Sequence, residues 1–130
     1  MKKNSDFGIF EIGIPFENQI QMYDRIDEIT FQNIWTFNKS WKPDLPGTLK
    51  SIGIKYNSKY VDFLELFGKE SEVVNNYYED LMSCGDISPT MVADVLINHA
   101  QYDIQDERIR LLIAIHYLTL NDQYERKEKY

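Results

Sequence analysis

The chain holds only two histidines, His99 and His116, and these are the first residues to test for chemistry. Asp103 follows His99 by four positions, one helical turn along the same face, and Asp94 is the next acid upstream. Converged on one point, these groups could hold a divalent metal or relay a proton. Their spacing does not bring them there. Helical metal sites set two histidines at i and i+4 with a third ligand close by, whereas these two stand in different segments. The plainer reading is two core or edge histidines with hydrogen-bond partners. A small metal-dependent enzyme using His99, His116 and Asp103 is the lesser alternative.

Other reactive groupings are missing from the sequence. There is no Gly-x-Ser-x-Gly, no phosphate-cradling glycine loop and no Cys-x-x-Cys. The single Cys84 reads as a semi-buried helix-end thiol, since no electropositive setting stands near it to make it reactive. Adjacent acids occur as Glu79-Asp80 and Asp106-Glu107, a common pattern on solvated helix faces. Glycosidase-type chemistry would need one carboxyl held neutral across a cleft. Residues 71–100 have the outline of a helix-turn-helix, but 89–102 hold no Lys or Arg with which to read a groove. No catalytic residue, cofactor or metal ligand is expected, nor any nucleic-acid partner.

The elements that would position such residues centre on 86–121. Ser88 before Pro89 is a helix-start signal, and Val92, Val95, Leu96 and His99 follow at helical spacing. A second helix is expected to start near Asp103 or Asp106, where acids suit the positive end of its dipole. From Ile109 to Leu120 apolar residues nearly close the circle, predicting a buried central helix over 107–121 paired antiparallel with the first. Upstream, Gly8, Gly13 and Pro15 predict an extended arm or short strand over 1–16. Residues 17–38 read as one long helix, with a strand over 29–37 as the alternative, since Ile29, Phe31, Trp35 and Phe37 suit period two. The aromatics of 29–41 read as core. The run KPDLPGT at 42–48 is a loop. Helical spacing resumes from Leu49, with Ser58 a cap for a separate helix over 59–67 and Gly68 a left-handed end. Another helix is expected over 70–83, closed by Gly85.

These elements predict a mostly α fold: one compact helical bundle of four to six helices over 1–122, with a short extended or β segment at the N-terminus left open. Residues 123–130 read as a frayed polar tail. The length suits one domain, and nine Tyr, seven Phe and two Trp supply core volume. Met1-Lys2-Lys3 leads into polar residues rather than an apolar run, no run is long enough to span a bilayer, and the lone cysteine suits a reducing compartment. A cytoplasmic protein with no membrane partner, monomeric or weakly dimeric, is expected.

Charge is the strongest functional signal. The net charge is −7, yet residues 61–107 carry eleven acids against one base, Lys69, and the rest of the chain is net positive. Such a surface repels phosphate and anionic lipid and attracts a basic protein. The candidate binding residues are Glu79, Asp80, Asp86, Asp94, Asp103, Asp106 and Glu107, with Tyr78 and Tyr102 as aromatic anchors and Tyr77 beside them.

Residues 77–121 also carry a resemblance. A turn with Asp86 and Pro89, a helix with Asp94 near its middle, and a second helix bearing Arg110-Leu111-Leu112-Ile113-Ala114 resemble small acidic bacterial proteins found beside secreted polymorphic toxins. Those proteins are taken to be immunity partners. The resemblance covers about a third of the chain and implies a non-enzymatic inhibitor that neutralises a basic toxin by tight binding in the cytosol. A structural or regulatory interaction protein that self-associates through the aromatics of 29–41 is the alternative.

Overall fold

The computed structural model describes residues 2–4, 9–11, 14–41, 48–87, 91 and 94–126. The chain is mostly helical. In order it forms β1 (Lys2–Asn4), β2 (Ile9–Glu11), α1 (Phe16–Arg25), α2 (Glu28–Gln32), β3 (Trp35–Trp41), β4 (Thr48–Ile54), α3 (Lys59–Gly68), α4 (Glu72–Cys84), α5 (Asp94–Ile97), a 3-10 turn (His99–Gln101) and α6 (Glu107–Glu125). The extended N-terminal segment is an antiparallel pair, with Lys3 opposite Phe10.

The long helix expected over 17–38 is three elements. Ile26 takes extended backbone, and the Asp27 carboxylate accepts from the Thr30 amide at 2.7 Å, starting α2 afresh. After Asn33 the chain turns into β3, so the strand alternative holds from Trp35 onward. The helical reading of 49–57 also gives way. Residues 49–54 pair antiparallel with β3, in a register that sets Trp35 opposite Ile54 and Phe37 opposite Ile52. Period two puts these four side chains on one face of the hairpin. That face meets α6: Trp35 Nε1 donates to Thr119 Oγ1 at 2.8 Å, and Gln123 Nε2 donates to the Ile52 carbonyl at 2.9 Å. The hairpin face and α6 together organise the core.

Asp106 is the N-cap of α6, accepting from the Arg108 amide at 2.8 Å. The helix buries Ile109, Leu112, Ile115, His116, Thr119 and Asp122, a stripe at spacings of three and four. Leu111 on the other side is exposed. The near-complete apolar circle therefore overstates the burial: one face is core and the other meets solvent. Nor is α6 paired with a long helix over 89–102, where the described residues form only α5 and the 3-10 turn. Ser88 and Pro89, the expected start of that helix, lie outside the described residues. The principal helix pair is α3 with α4, joined by Lys69, Glu70 and Ser71.

Ser58 and Ser71 cap α3 and α4, each accepting from the amide three residues on. Gly85 ends α4 in the left-handed region with φ 75°, as expected. Gly68 does not: α3 ends without positive φ. A Cβ at Gly68 would sit 3.0 Å from the Asn75 Cα, so glycine serves the close approach of α4 instead. Of the stretch read as a polar tail, residues 123–126 are described. The helix continues through Glu125, and the buried Arg126 ion-pairs with Asp122. Residues 127–130 lie outside the described residues.

Candidate interaction surface

The α3–α4 pair has a buried and an open side. Tyr60, Val61, Leu64 and Phe67 turn inward from α3, and Val74, Tyr77 and Leu81 from α4. At helical spacing this leaves Asp62, Glu65 and Leu66 facing out on α3, and Glu72, Glu79 and Asp80 on α4. Half-buried Tyr78 on α4 lies near enough to Glu65 on α3 to feel its charge. Its phenol is raised above the ordinary tyrosine range, first by desolvation, then by the charge of Glu65, with smaller contributions from Tyr56 and Asp62. Tyr56, Asp62, Glu65 and Tyr78 thus form one cluster, with Tyr56 itself exposed. No Lys or Arg among the described residues pairs with Asp62, Glu65, Glu79 or Asp80.

Asp62 and Lys59 also border a hollow of about 370 Å³ whose apolar lining is Phe63, Leu66 and Phe67. Leu66 is 62 % exposed at its edge. Arg108 closes the far side, its guanidinium 4.1 Å above the Phe67 ring and bonded to Glu70 at 2.6 Å and Asp106 at 2.9 Å. Those two carboxylates raise the Arg108 pKa further. The surface therefore pairs negative charge and tyrosine hydroxyls with an apolar seat, a combination suited to protein contact.

The residues expected from sequence do not all arrive here. Tyr78, Glu79 and Asp80 do, although Glu79 also accepts from Asn75 Nδ2 at 3.2 Å. Tyr102 is only 3 % exposed and Tyr77 is buried, so neither serves as a surface anchor; both are core residues. Tyr77 instead bonds His116 Nδ1 at 2.7 Å. Asp86 is a latch within the fold, accepting from the amides of Ile54 and Ile87 and from Gln123 Nε2. Burial raises its pKa, against those hydrogen bonds, which lower it. Asp106 is occupied by the α6 cap and Arg108, whose hydrogen bonds hold its pKa low. Asp103 is exposed and accepts from the Gln105 amide, and Glu107 is exposed 3.9 Å from Arg110. The Asp94 side chain lies outside the described residues.

The histidine grouping is not assembled. His116 is fully buried against Tyr77 while His99 and Asp103 are exposed, and the described residues hold no cluster of three His, Cys, Asp or Glu fit for a metal. Of the aromatics of 29–41, Trp35 is buried and Phe31, half-buried, lies 5.4 Å from it, while the Trp41 side chain lies outside the described residues. Among the described residues no helix is long and apolar enough to cross a membrane. Sequence reasoning missed Tyr56, Asp62, Glu65 and Leu66 as one surface. The signal was the 62–65–66 spacing opposite the inward 60–61–64–67 set. No protein family, curated protein or solved structure matches the chain.

Proposed function

We propose that this protein is a non-enzymatic binding protein whose acidic α3–α4 face takes a basic protein, most concretely a toxin domain that it neutralises in the cytosol. The observation that carries the reading is the cluster of Tyr56, Asp62, Glu65 and Tyr78. It sets carboxylates without a basic partner among the described residues beside exposed tyrosine and the Leu66 hollow. Exposed like charges raise the encounter rate with an oppositely charged partner, and aromatic and apolar side chains slow its release. The resemblance of residues 77–121 to immunity-type proteins points the same way, and α4 belongs to both.

The test is retention of a native-host partner on the immobilised protein, compared with a variant carrying Asp62→Asn, Glu65→Gln, Glu79→Gln and Asp80→Asn. The expected result is one basic protein, held at low salt, weakened about tenfold or more by the four changes and released as salt approaches about 0.5 M. Retention indifferent to both salt and the four changes would overturn the assignment of this face.

A further inference from the structure

On other elements, α1, α2 and β3 enclose a groove of about 500 Å³. Its wall is aromatic. The Tyr23 ring meets Phe31 edge-on at 5.3 Å, and Phe31 stacks on Phe37 at 5.4 Å. Asp24, Asp27 and Glu28 line the same groove. Arg126, the one cation lining it among the described residues, is matched by Asp122, to which it is bonded at 2.7 and 2.9 Å. The three remaining carboxylates give the groove a negative field over an apolar wall. That wall already draws cations: Arg126 lies 5.0 Å and Lys50 5.1 Å from the Phe37 ring centre. A second hollow of about 420 Å³ shares Glu28, Phe31 and Phe37, so the surface extends past the groove rather than closing around a compact ligand.

We propose that this groove is a separate recognition site that seats an arginine side chain borne on an extended segment of a partner protein. A guanidinium is planar, weakly hydrated and able to bridge two carboxylates while its face lies on an aromatic ring. Asp24 is the principal carboxylate. Asp27 spends one oxygen on the α2 cap, and Glu28 accepts from Gln32 at 3.1 Å, leaving each a second oxygen for the guest. The proposal does not depend on the α3–α4 face.

The probe is a synthetic nine-residue peptide with blocked termini, apolar flanks and one central arginine, titrated against the intact protein by calorimetry and by amide chemical shifts. A matched peptide carries citrulline in place of arginine. Shifts gathered over residues 20–37 and Arg126 are expected. Binding is expected to weaken about tenfold with citrulline and by a similar factor with Asp24→Asn plus Glu28→Gln. Both substitutions are at exposed positions, and unchanged thermal unfolding will show that the fold survives them. Asp62→Asn plus Glu65→Gln should leave this titration unaltered. Equal affinity for the citrulline peptide, no titration up to millimolar peptide, or loss of binding through the α3 changes alone would overturn the proposal.

Discussion

Asp122 has no exposed surface, so its charge must be answered within the protein. Arg126 binds both its oxygens, and the Tyr23 hydroxyl donates to one of them at 2.8 Å. Gln19 ties Tyr23 to the Leu118 carbonyl, and Asn121 donates to Gln19 Oε1 at 2.6 Å. Desolvation first, then the charge of Asp122, pushes the Tyr23 phenol far above its ordinary range, so it stays a donor at any pH the fold survives. Tyr60 makes the contrast. Its hydroxyl is buried, raised by desolvation and by Tyr102, and has no hydrogen-bond partner among the described residues. Removing a paired group and removing an orphan should therefore differ in sign. Arg126→Met leaves a buried carboxylate uncompensated and is expected to cost about 3–5 kcal/mol. Tyr60→Phe deletes an unsatisfied hydroxyl and should be neutral or stabilising by about 1 kcal/mol. Urea unfolding of the two variants reads both, and a Tyr60→Phe loss above about 1 kcal/mol would show that its hydroxyl has a partner.

Among the elements, the β3–β4 hairpin is the one whose absence would dismantle the rest, because its inner face carries Trp35, Ile52 and Ile54 onto α6. At Gly53 the loop after α4 comes close against the hairpin. A Cβ there would lie 2.7 Å from Asp86 Oδ2 and 2.8 Å from Asn38 Nδ2. Gly53→Ala should displace the Asp86 latch and cost about 1–3 kcal/mol by overpacking. Gly85→Ala at a left-handed but open cap should cost about 1 kcal/mol. Thermal unfolding that ranked Gly85→Ala as the more damaging would refute the latch. The same hairpin explains what the sequence concealed. Ile20, Tyr23, Ile26, Thr30, Ile34 and Phe37 fit a helical period, and the break at Ile26–Asp27 has no glycine or proline to announce it. Only the Asp27 cap marks it, and a capping aspartate looks like any surface acid. Leu49, Ile52 and Tyr56 fit a helix equally well until β3 claims the backbone hydrogen bonds of 48–54. Helices with local signals were legible: Ser58 before α3, Gly85 after α4 and Asp106 before α6. The acidic face was legible as charge, but not which acids were committed, because the demands on Asp86 and Asp106 come from Gln123, Ile54 and Arg108 and exist only after folding.

At the scale of the whole molecule the governing quantity is a net charge of −7 with its acids concentrated in residues 61–107. Ionised carboxylates in such excess repel each other more in the folded chain than in the expanded one, which costs stability at neutral pH. Asp86 adds to that cost. Its raised folded-state pKa means the folded chain takes up its proton before the unfolded chain does. Stability from this group therefore grows as pH falls from neutral through the raised value, and stops growing at the ordinary carboxylate range. Asp27 and Asp106 act oppositely. Hydrogen bonds from Thr30 and Arg108 hold their pKa values low, so their contributions are full above the ordinary carboxylate range and vanish as pH falls through the lowered values. The balance places maximum stability on the acid side of neutral, at about pH 5–6, with a steep loss below about pH 4. Salt should separate the terms. Screening relieves repulsion between exposed charges but acts weakly on the half-buried Asp86. Adding about 0.5 M sodium chloride should raise the unfolding midpoint at pH 7.5 and change it little near pH 5, where the net charge approaches zero. Asp86→Asn should then flatten the part of the slope between neutral pH and the maximum that salt leaves behind. Stability that climbs steadily from pH 5 to pH 8 at low salt would mean that the acidic face is compensated within the fold, and it would remove the charge excess on which recognition of a basic partner depends.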